Sequence, residues 1–273
     1  MLVHPLPNPV AFSIGPVAVH WYGLMYLCGF LFFIILGRVR IRTQPHIARA
    51  GWVPKNLDDI LFYGVFGVIV GGRLGEVLFY NPKYFFSHPM EIFAVWQGGM
   101  SYHGGFLGVM IAMWFWSRKN GRAFWDTMDF IAPTIPIGYA CGRLGNFINA
   151  ELPGRVASPD LPWAMIWPNF DMLPRHPSPL YQMLVDGLLM FVLLWLYSRK
   201  ERPRGAVSGM YCLLYGSARF FTEYFRIPDY EVNLGVFTIS AGQMLSLPMV
   251  VFGLFLLWWS YKTYRIGNGP SFR

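Results

Sequence analysis

Three arginines of this 273-residue chain, Arg73, Arg143 and Arg219, lie inside long apolar runs, where lipid rather than water is the expected surrounding. An arginine near mid-bilayer costs roughly 2.5–3.5 kcal/mol on insertion scales, so each must face a polar interior and find a partner there. Glu76 follows Arg73 by three residues and Glu223 follows Arg219 by four, spacings that put each pair on one helix face. Tyr215, four before Arg219, extends the second stripe. Such pairs can simply neutralise one another and fix helix register. Arg143 differs, because no acid lies within a helical turn of it, and Gly145, Asn146, Asn149, Glu151 and Gly154 follow. A planar guanidinium beside glycines and carboxamides suits a phosphate, two of whose oxygens it can bond at once. Two such arginines from different segments could clamp one anion.

His103 lies among these polar groups with Gly98, Gly99, Gly104 and Gly105 around it. A membrane histidine can be a hydrogen-bonded packing residue. The glycines, however, leave its ring without bulky neighbours in sequence, and a reference pKa near 6.5 suits a proton acceptor at neutral pH. Asp126, Asp129 and Asp186 are alternative acids, read here mainly as interface or packing groups. The histidines His4, His20, His46, His88, His103 and His176 are scattered without a clustered pair plus acids, so no metal is expected. Cys28, Cys141 and Cys212 form no CxxC pair and are given no redox or metal role.

Elements that place such groups at depth must be membrane helices. Charged residues make up 13% of the chain against about 25% in a soluble domain, while apolar types make up 55% and aromatics 18%. Seven segments are long and apolar enough to span about 30 Å of hydrocarbon: 17–37, 57–80, 93–116, 123–147, 179–197, 205–224 and 236–261. The first sixteen residues hold no Lys or Arg, so the first segment is expected to stay as an anchor rather than be cleaved. The net charge of +8 reads as topology, not as a nucleic-acid surface. Arg38, Arg40, Arg42, Arg49 and Lys55, then Arg118, Lys119 and Arg122, then Arg199, Lys200, Arg202 and Arg204, then Lys262, Arg265 and Arg273 fall on one side. Lys83, Arg155, Arg175 and Arg226 fall on the other. The expectation is an all-α integral membrane protein, one seven-helix domain over 1–273, with the N-terminus outside and the C-terminus in the cytoplasm. Residues 148–178 form a small outside head. Glycines at every fourth position (Gly67, Gly71 and Gly75; Gly104 and Gly108; Gly138 and Gly142) predict close helix packing.

The string Gly142-Arg143-Leu144-Gly145-Asn146-Phe147-Ile148-Asn149-Ala150-Glu151-Leu152-Pro153-Gly154 resembles the signature of bacterial prolipoprotein diacylglyceryl transferases. The likeness continues through His20-Trp21-Tyr22-Gly23, Gly71-Gly72-Arg73, His103-Gly104-Gly105, Arg175-His176-Pro177-Ser178 and Arg219-Phe220-Phe221-Thr222-Glu223. The resemblance implies transfer of the diacylglyceryl group of phosphatidylglycerol to the lipobox cysteine of a preprolipoprotein, with release of glycerol phosphate and without a cofactor. It also implies a bacterial inner-membrane enzyme whose site opens toward the periplasm and the bilayer lipids.

On that resemblance His103 is the expected base for the thiol, with Glu151 as the alternative, and Arg143 and Arg219 hold the leaving phosphate. Tyr26, Asn146 and Asn149 are expected to bond glycerol or phosphate oxygens, Glu151 and Glu223 to orient the arginines, and Gly154 to permit a turn. Arg73 and Tyr215 complete the expected binding set. A polytopic transporter and an intramembrane protease are the competing classes. A transporter would need a two-sided route, and Ser208-Gly209, the nearest serine–glycine pair, is preceded by Ala206-Val207 rather than by the glycine a protease motif requires.

Overall fold

A computed structural model describes residues 2–228, 230–233, 235 and 238–264; the start of the expected seventh span at 236 and the basic residues Arg265 and Arg273 lie outside the described residues. In chain order the strands are β1 (Leu2–Val3), β2 (Val10–Ile14) and β3 (Val17–His20), followed by helices α1 (Trp21–Thr43), α2 (Pro45–Arg49) and α3 (Pro54–Gly75). The last continues as a π-helical stretch, Glu76–Tyr80, before α4 (Pro82–Ser87), α5 (Tyr102–Lys119), α6 (Phe124–Ile131) and α7 (Ile135–Ile148). Strands β4 (Met165–Trp167) and β5 (Asp171–Arg175) precede α8 (Ser178–Gln182), which runs through a π-helical stretch, Met183–Leu189, into α9 (Met190–Ser198). The chain then forms α10 (Ala206–Thr222), β6 (Glu231–Asn233), β7 (Thr238–Ser240) and α11 (Ala241–Thr263). Among the described residues four helices are long and apolar enough to cross a membrane: Trp21–Thr43, Pro54–Tyr80, Ser178–Ser198 and Ala241–Thr263.

Three expected segments start elsewhere; in the seventh, Thr238–Ser240 pair as β7 with β6 and the helix begins at Ala241, where Ser240 caps it. Residues 17–20 pair as β3 with β2 in an antiparallel hairpin, and the first helix instead runs on to Thr43. That extension takes Arg40 out of the connection and buries it, donating to the carbonyls of Asp129 and Phe130 and lying over the Phe130 ring. Residues 89–97 form two short 3-10 turns, and the third long helix begins only at Tyr102. Gly98 and Gly99 both have positive φ, which breaks any helix started at residue 93. Ser101 then starts α5 by accepting the Gly104 amide.

The described residues divide into two compact units, one of residues up to 40 together with those from 129 onward, and one of residues 41–128. In the unit holding α3 and α5, glycines set the helix packing. A Cβ on Gly71 would lie 2.4 Å from the Gly104 carbonyl oxygen, and one on Gly67 would lie 2.7 Å from that of Gly108. In the other unit Gly29 of α1 meets Gly138 of α7, and Gly253 of α11 meets the Leu213 backbone of α10. Gly142 meets nothing within 4 Å and is not a packing position.

The same unit carries the head. β4 lies between β1, which is parallel, and β5, which is antiparallel, with a register irregularity between Ile166 and Trp167. Ala150, Met165, Trp167 and Phe147 pack beneath it, and His4 stacks on Trp167 while bonding the Phe147 carbonyl oxygen at 2.8 Å. This joins the head to the last turn of α7.

Asp129 closes α10 at its start. Its carboxylate accepts from the amides of Gly205 (2.6 Å) and Ser208 (2.8 Å) and from the Ser208 hydroxyl (2.6 Å), which satisfies donors that the first helical turn cannot. Replacing Asp129 with Ala is expected to cost about 1–2 kcal/mol, read as a lower thermal midpoint of the purified protein with helical content unchanged. An unchanged midpoint would show that water replaces the cap.

Candidate active site

The C-terminal half of α7 presents Arg143, and the chain beyond the helix is folded to hold that side chain. Arg143 Nη1 donates to Asn146 Oδ1 (3.1 Å), and its Cζ lies 4.8 Å from the centre of the Tyr139 ring one turn earlier. Asn146, itself buried, donates to Glu151 Oε2 (2.8 Å), and Asn149 donates to Glu151 Oε1 at 3.3 Å. Glu151 therefore reaches Arg143 through one carboxamide and has both oxygens occupied. This geometry needs a sharp reversal after the helix, and Ala150 (φ 55°) and Leu152 (φ 57°) both adopt left-handed conformations there. The reversal is pinned by three bonds: Glu151 N to Asn146 O, Asn169 Nδ2 to Ala150 O, and Ser178 Oγ to Leu152 O.

Gly154 serves a different need from the expected turn. Its amide donates to the His176 carbonyl oxygen, and a Cβ would lie 2.4 Å from that oxygen and 2.5 Å from the Phe225 carbonyl oxygen. The position takes glycine because three chain segments meet there. Arg175 donates to the Gly154 carbonyl from beneath, is ion-paired with Asp171, and lies over Phe170.

On α10, Arg219 Nη2 lies 2.8 Å from Glu223 Oε2, as the four-residue spacing predicted. The contact is an ion pair without hydrogen-bond geometry, and Arg219 Nη1 is buried with no hydrogen-bond partner among the described residues. Arg226 Nη1 approaches the same carboxylate at 3.8 Å. Glu223 is buried against the first turn of α11, where a Cβ on Gly242 would lie 2.6 Å from Oε2, so only glycine leaves it room. Tyr215 stacks on Tyr211 and meets Tyr139 edge-on, at 5.8 Å between ring centres. Tyr26 of α1 is half exposed and packs edge-on against Tyr22, whose ring is seated where Gly145 leaves space.

Tyr139 and Arg175 were not singled out as site residues from the sequence. Tyr139 could have been, because it precedes Arg143 by one helical turn. Arg175 was counted as a loop charge and as part of the family likeness, without a role in the site.

Arg73 and His103 belong to the other unit. Arg73 does not bond Glu76. Its donors go to the carbonyls of Ile92 (2.9 Å), Gly98 (2.7 Å), Gly99 (3.2 Å), Ala94 (3.3 Å) and Glu91, and its guanidinium lies over Phe85. Glu76 accepts from Asn81 instead. Arg73 thus gathers residues 91–99, and the Ser101 amide donates to the Gly72 carbonyl beside it, which fixes the start of α5. His103 stands exposed on that first turn, edge-on to Tyr102. Among the described residues no group of three or more His, Cys, Asp or Glu could hold a metal ion.

The sequence pattern that describes prolipoprotein diacylglyceryl transferases matches residues 9–259. Three relatives carry the name phosphatidylglycerol–prolipoprotein diacylglyceryl transferase. One, from Janthinobacterium sp., is 70% identical over 262 residues, covering 96% of this chain and 98% of its own. Those of Cupriavidus metallidurans and Ralstonia pickettii are 57% and 52% identical, each covering 99% of this chain and 98% of their own.

Two measurements test the supports of the site. Arg73→Ala leaves five carbonyls without their donor and is expected to destabilise the fold by about 3 kcal/mol or more, with Arg73→Lys failing to restore it. A thermal midpoint equal to that of the parent would contradict this. In the head, burial lowers the pKa values of His4 and His176 below 6.5. The folded form then binds fewer protons than the unfolded one, so this stabilisation is complete above about pH 6.5 and is lost as pH falls below it. The thermal midpoint is expected to drop on acidification from about pH 7.5 to about pH 5.5, and His4→Gln with His176→Gln together should reduce the drop. An equal drop in the double variant would remove both histidines as its cause.

Proposed function

Because the chain belongs to the prolipoprotein diacylglyceryl transferase family, we propose a role for each polar group gathered around Arg143 and Arg219. The protein is a multi-pass membrane transferase of lipoprotein biosynthesis. It moves the diacylglyceryl group of phosphatidylglycerol to prolipoprotein, forming a thioether on the acceptor cysteine and releasing glycerol phosphate. The reaction is an alkyl transfer. The cysteine sulfur attacks the glyceryl carbon that bears the phosphate, the carbon–oxygen bond breaks with its electron pair going to the phosphate, and the thiol proton leaves to a base.

The phosphate gains negative charge as that bond breaks, so donors aimed at it stabilise the transition state more than the bound lipid. Arg143 and Arg219 are assigned there. The observation that carries this reading is the uncommitted state of their donors: Arg219 Nη1 is buried and unbonded among the described residues, and Arg143 gives its Nη1 to Asn146 and rests against Tyr139. Such groups at membrane depth need an acceptor, and a phosphate supplies one. Asn146 and Asn149, already tied to Glu151, hold Arg143 and offer carboxamides to glycerol or phosphate oxygens. Glu223 orients Arg219, and Tyr26 and Tyr215 line the approach. Glu151 has both oxygens accepting hydrogen bonds, which supports an orienting role for it. His103, exposed on the first turn of α5, is assigned the thiol proton. Arg73 supports the segment that presents His103.

We further assign seven spans, adding the weaker helices Tyr102–Lys119, 124–148 and 206–225 to the four apolar ones. The N-terminus lies outside and the C-terminus in the cytoplasm of the bacterial inner membrane, because the basic residues alternate loop by loop. The head at 148–178 and the arginine site then face the periplasm, where the lipobox cysteine of the preprolipoprotein arrives.

Purified protein given phosphatidylglycerol and a lipobox peptide is expected to release glycerol phosphate, and Arg143→Ala to lower turnover by about a hundredfold or more while still inserting. Near-normal turnover in that variant would remove Arg143 from the site. His103→Gln should slow the reaction and flatten its pH profile. If Glu151→Gln alone does so, the base is Glu151.

A further inference from the structure

Asp186 is fully buried in the span Ser178–Ser198, although a carboxyl at membrane depth is expensive unless hydrogen-bonded. It lies within the seven-residue π-helical stretch Met183–Leu189, a rare conformation that recurs at functional sites. The next residue is pressed onto α7: a Cβ on Gly187 would lie 2.6 Å from the Ala140 Cβ, one turn before Arg143. From there the carboxylate reaches two helices. Tyr139 of α7 donates its hydroxyl to Oδ2 at 3.2 Å, and Thr222 of α10 donates to Oδ2 at 3.1 Å and Oδ1 at 3.3 Å.

Both hydroxyls belong to residues that set an arginine. The Tyr139 ring supports the Arg143 guanidinium at 4.8 Å, and Thr222 lies three residues after Arg219 and directly before its partner Glu223. Neither Arg143 nor Arg219 forms an ion pair with Asp186 among the described residues. A carboxylate at ion-pair distance would compete with a phosphate for the same donors. At one hydroxyl's remove it holds the two helices in register without occupying the guanidiniums.

We propose that Asp186 is a positioning residue for diacylglyceryl transfer: by accepting from Tyr139 and Thr222 at once it fixes the separation of the Arg143 and Arg219 guanidiniums so that both meet one phosphate. This rests on the arginine assignment above. What acts is hydrogen-bond acceptance rather than charge, so a carboxamide, whose oxygen can accept from both hydroxyls, replaces it.

The test measures kcat and KM for phosphatidylglycerol with a lipobox peptide in Asp186→Asn, Asp186→Ala, Tyr139→Phe and Arg143→Ala, with thermal midpoints alongside. Asp186→Ala is expected to lower kcat by about ten- to a hundredfold with KM changed less than about threefold, and Asp186→Asn to restore kcat to within about threefold. Tyr139→Phe, which removes one oxygen and keeps the ring under Arg143, should lower kcat in the same direction; it carries the test if Asp186→Ala does not fold. The proposal is overturned if Tyr139→Phe and the folded Asp186 variants keep kcat within about twofold of the parent. It is also overturned if Asp186→Asn is as slow as Asp186→Ala, or if the loss falls on KM alone. An active Arg143→Ala would instead overturn the arginine assignment, so the two failures are told apart.

Discussion

A guanidinium cannot shed its charge and cannot be left unbonded in hydrocarbon, and this constraint organises the molecule. Among the described residues four arginines lie buried or nearly so in helices, and the structure answers the constraint in two ways. Arg40 and Arg73 deliver their donors to backbone carbonyls, of Asp129 and Phe130 in one case and of residues 91–99 in the other. They work as struts that join segments far apart in sequence. Arg143 and Arg219 instead touch side chains, and each keeps part of its five-donor fork uncommitted. The first pair is complete without substrate; the second is not, and the proposed chemistry lives there.

Holding an incomplete arginine in place requires everything around it to be complete. Two non-glycine residues in left-handed conformations, Ala150 and Leu152, turn the chain so that Glu151 can reach back to Asn146. The head carries that strain: Trp167, His4 and Phe147 pack under it, and Asn169 and Ser178 bond the carbonyls of the strained residues. At Gly154 the chains running through His176 and Phe225 approach too closely for any side chain. Glycine there serves backbone packing, and the packing serves the carboxylate–carboxamide–guanidinium relay.

Much of this was legible in the residues. Charges within apolar runs identified Arg73, Arg143 and Arg219, the four-residue spacing found the Arg219–Glu223 pair, and the string from Gly142 to Gly154 pointed to the family. Helical spacing failed where partners come from afar. It matched Arg73 with Glu76, because it sees one helix face and not a loop that folds back to present its carbonyls. It likewise treated Arg40 as a connection charge, since hydropathy does not reveal that α1 continues to Thr43. The 3-10 turns at 89–97 read as apolar and so were joined to the third span, although the positive φ of Gly98 and Gly99 ends any helix there. Asp186 was visible as an acid in a span, but the π-helical stretch that aims it depends on packing against α7 and has no sequence period of its own.

The central claim is that two guanidiniums on different helices act on one phosphate. A double-mutant cycle tests it: kcat/KM for glycerol phosphate release from phosphatidylglycerol is measured for Arg143→Ala, Arg219→Ala and the combined variant, each confirmed to be folded and inserted. Groups that grip one leaving group as a unit should be strongly non-additive, the combined loss being close to that of the worse single variant. Losses that multiply would mean two independent contributions and would contradict the account.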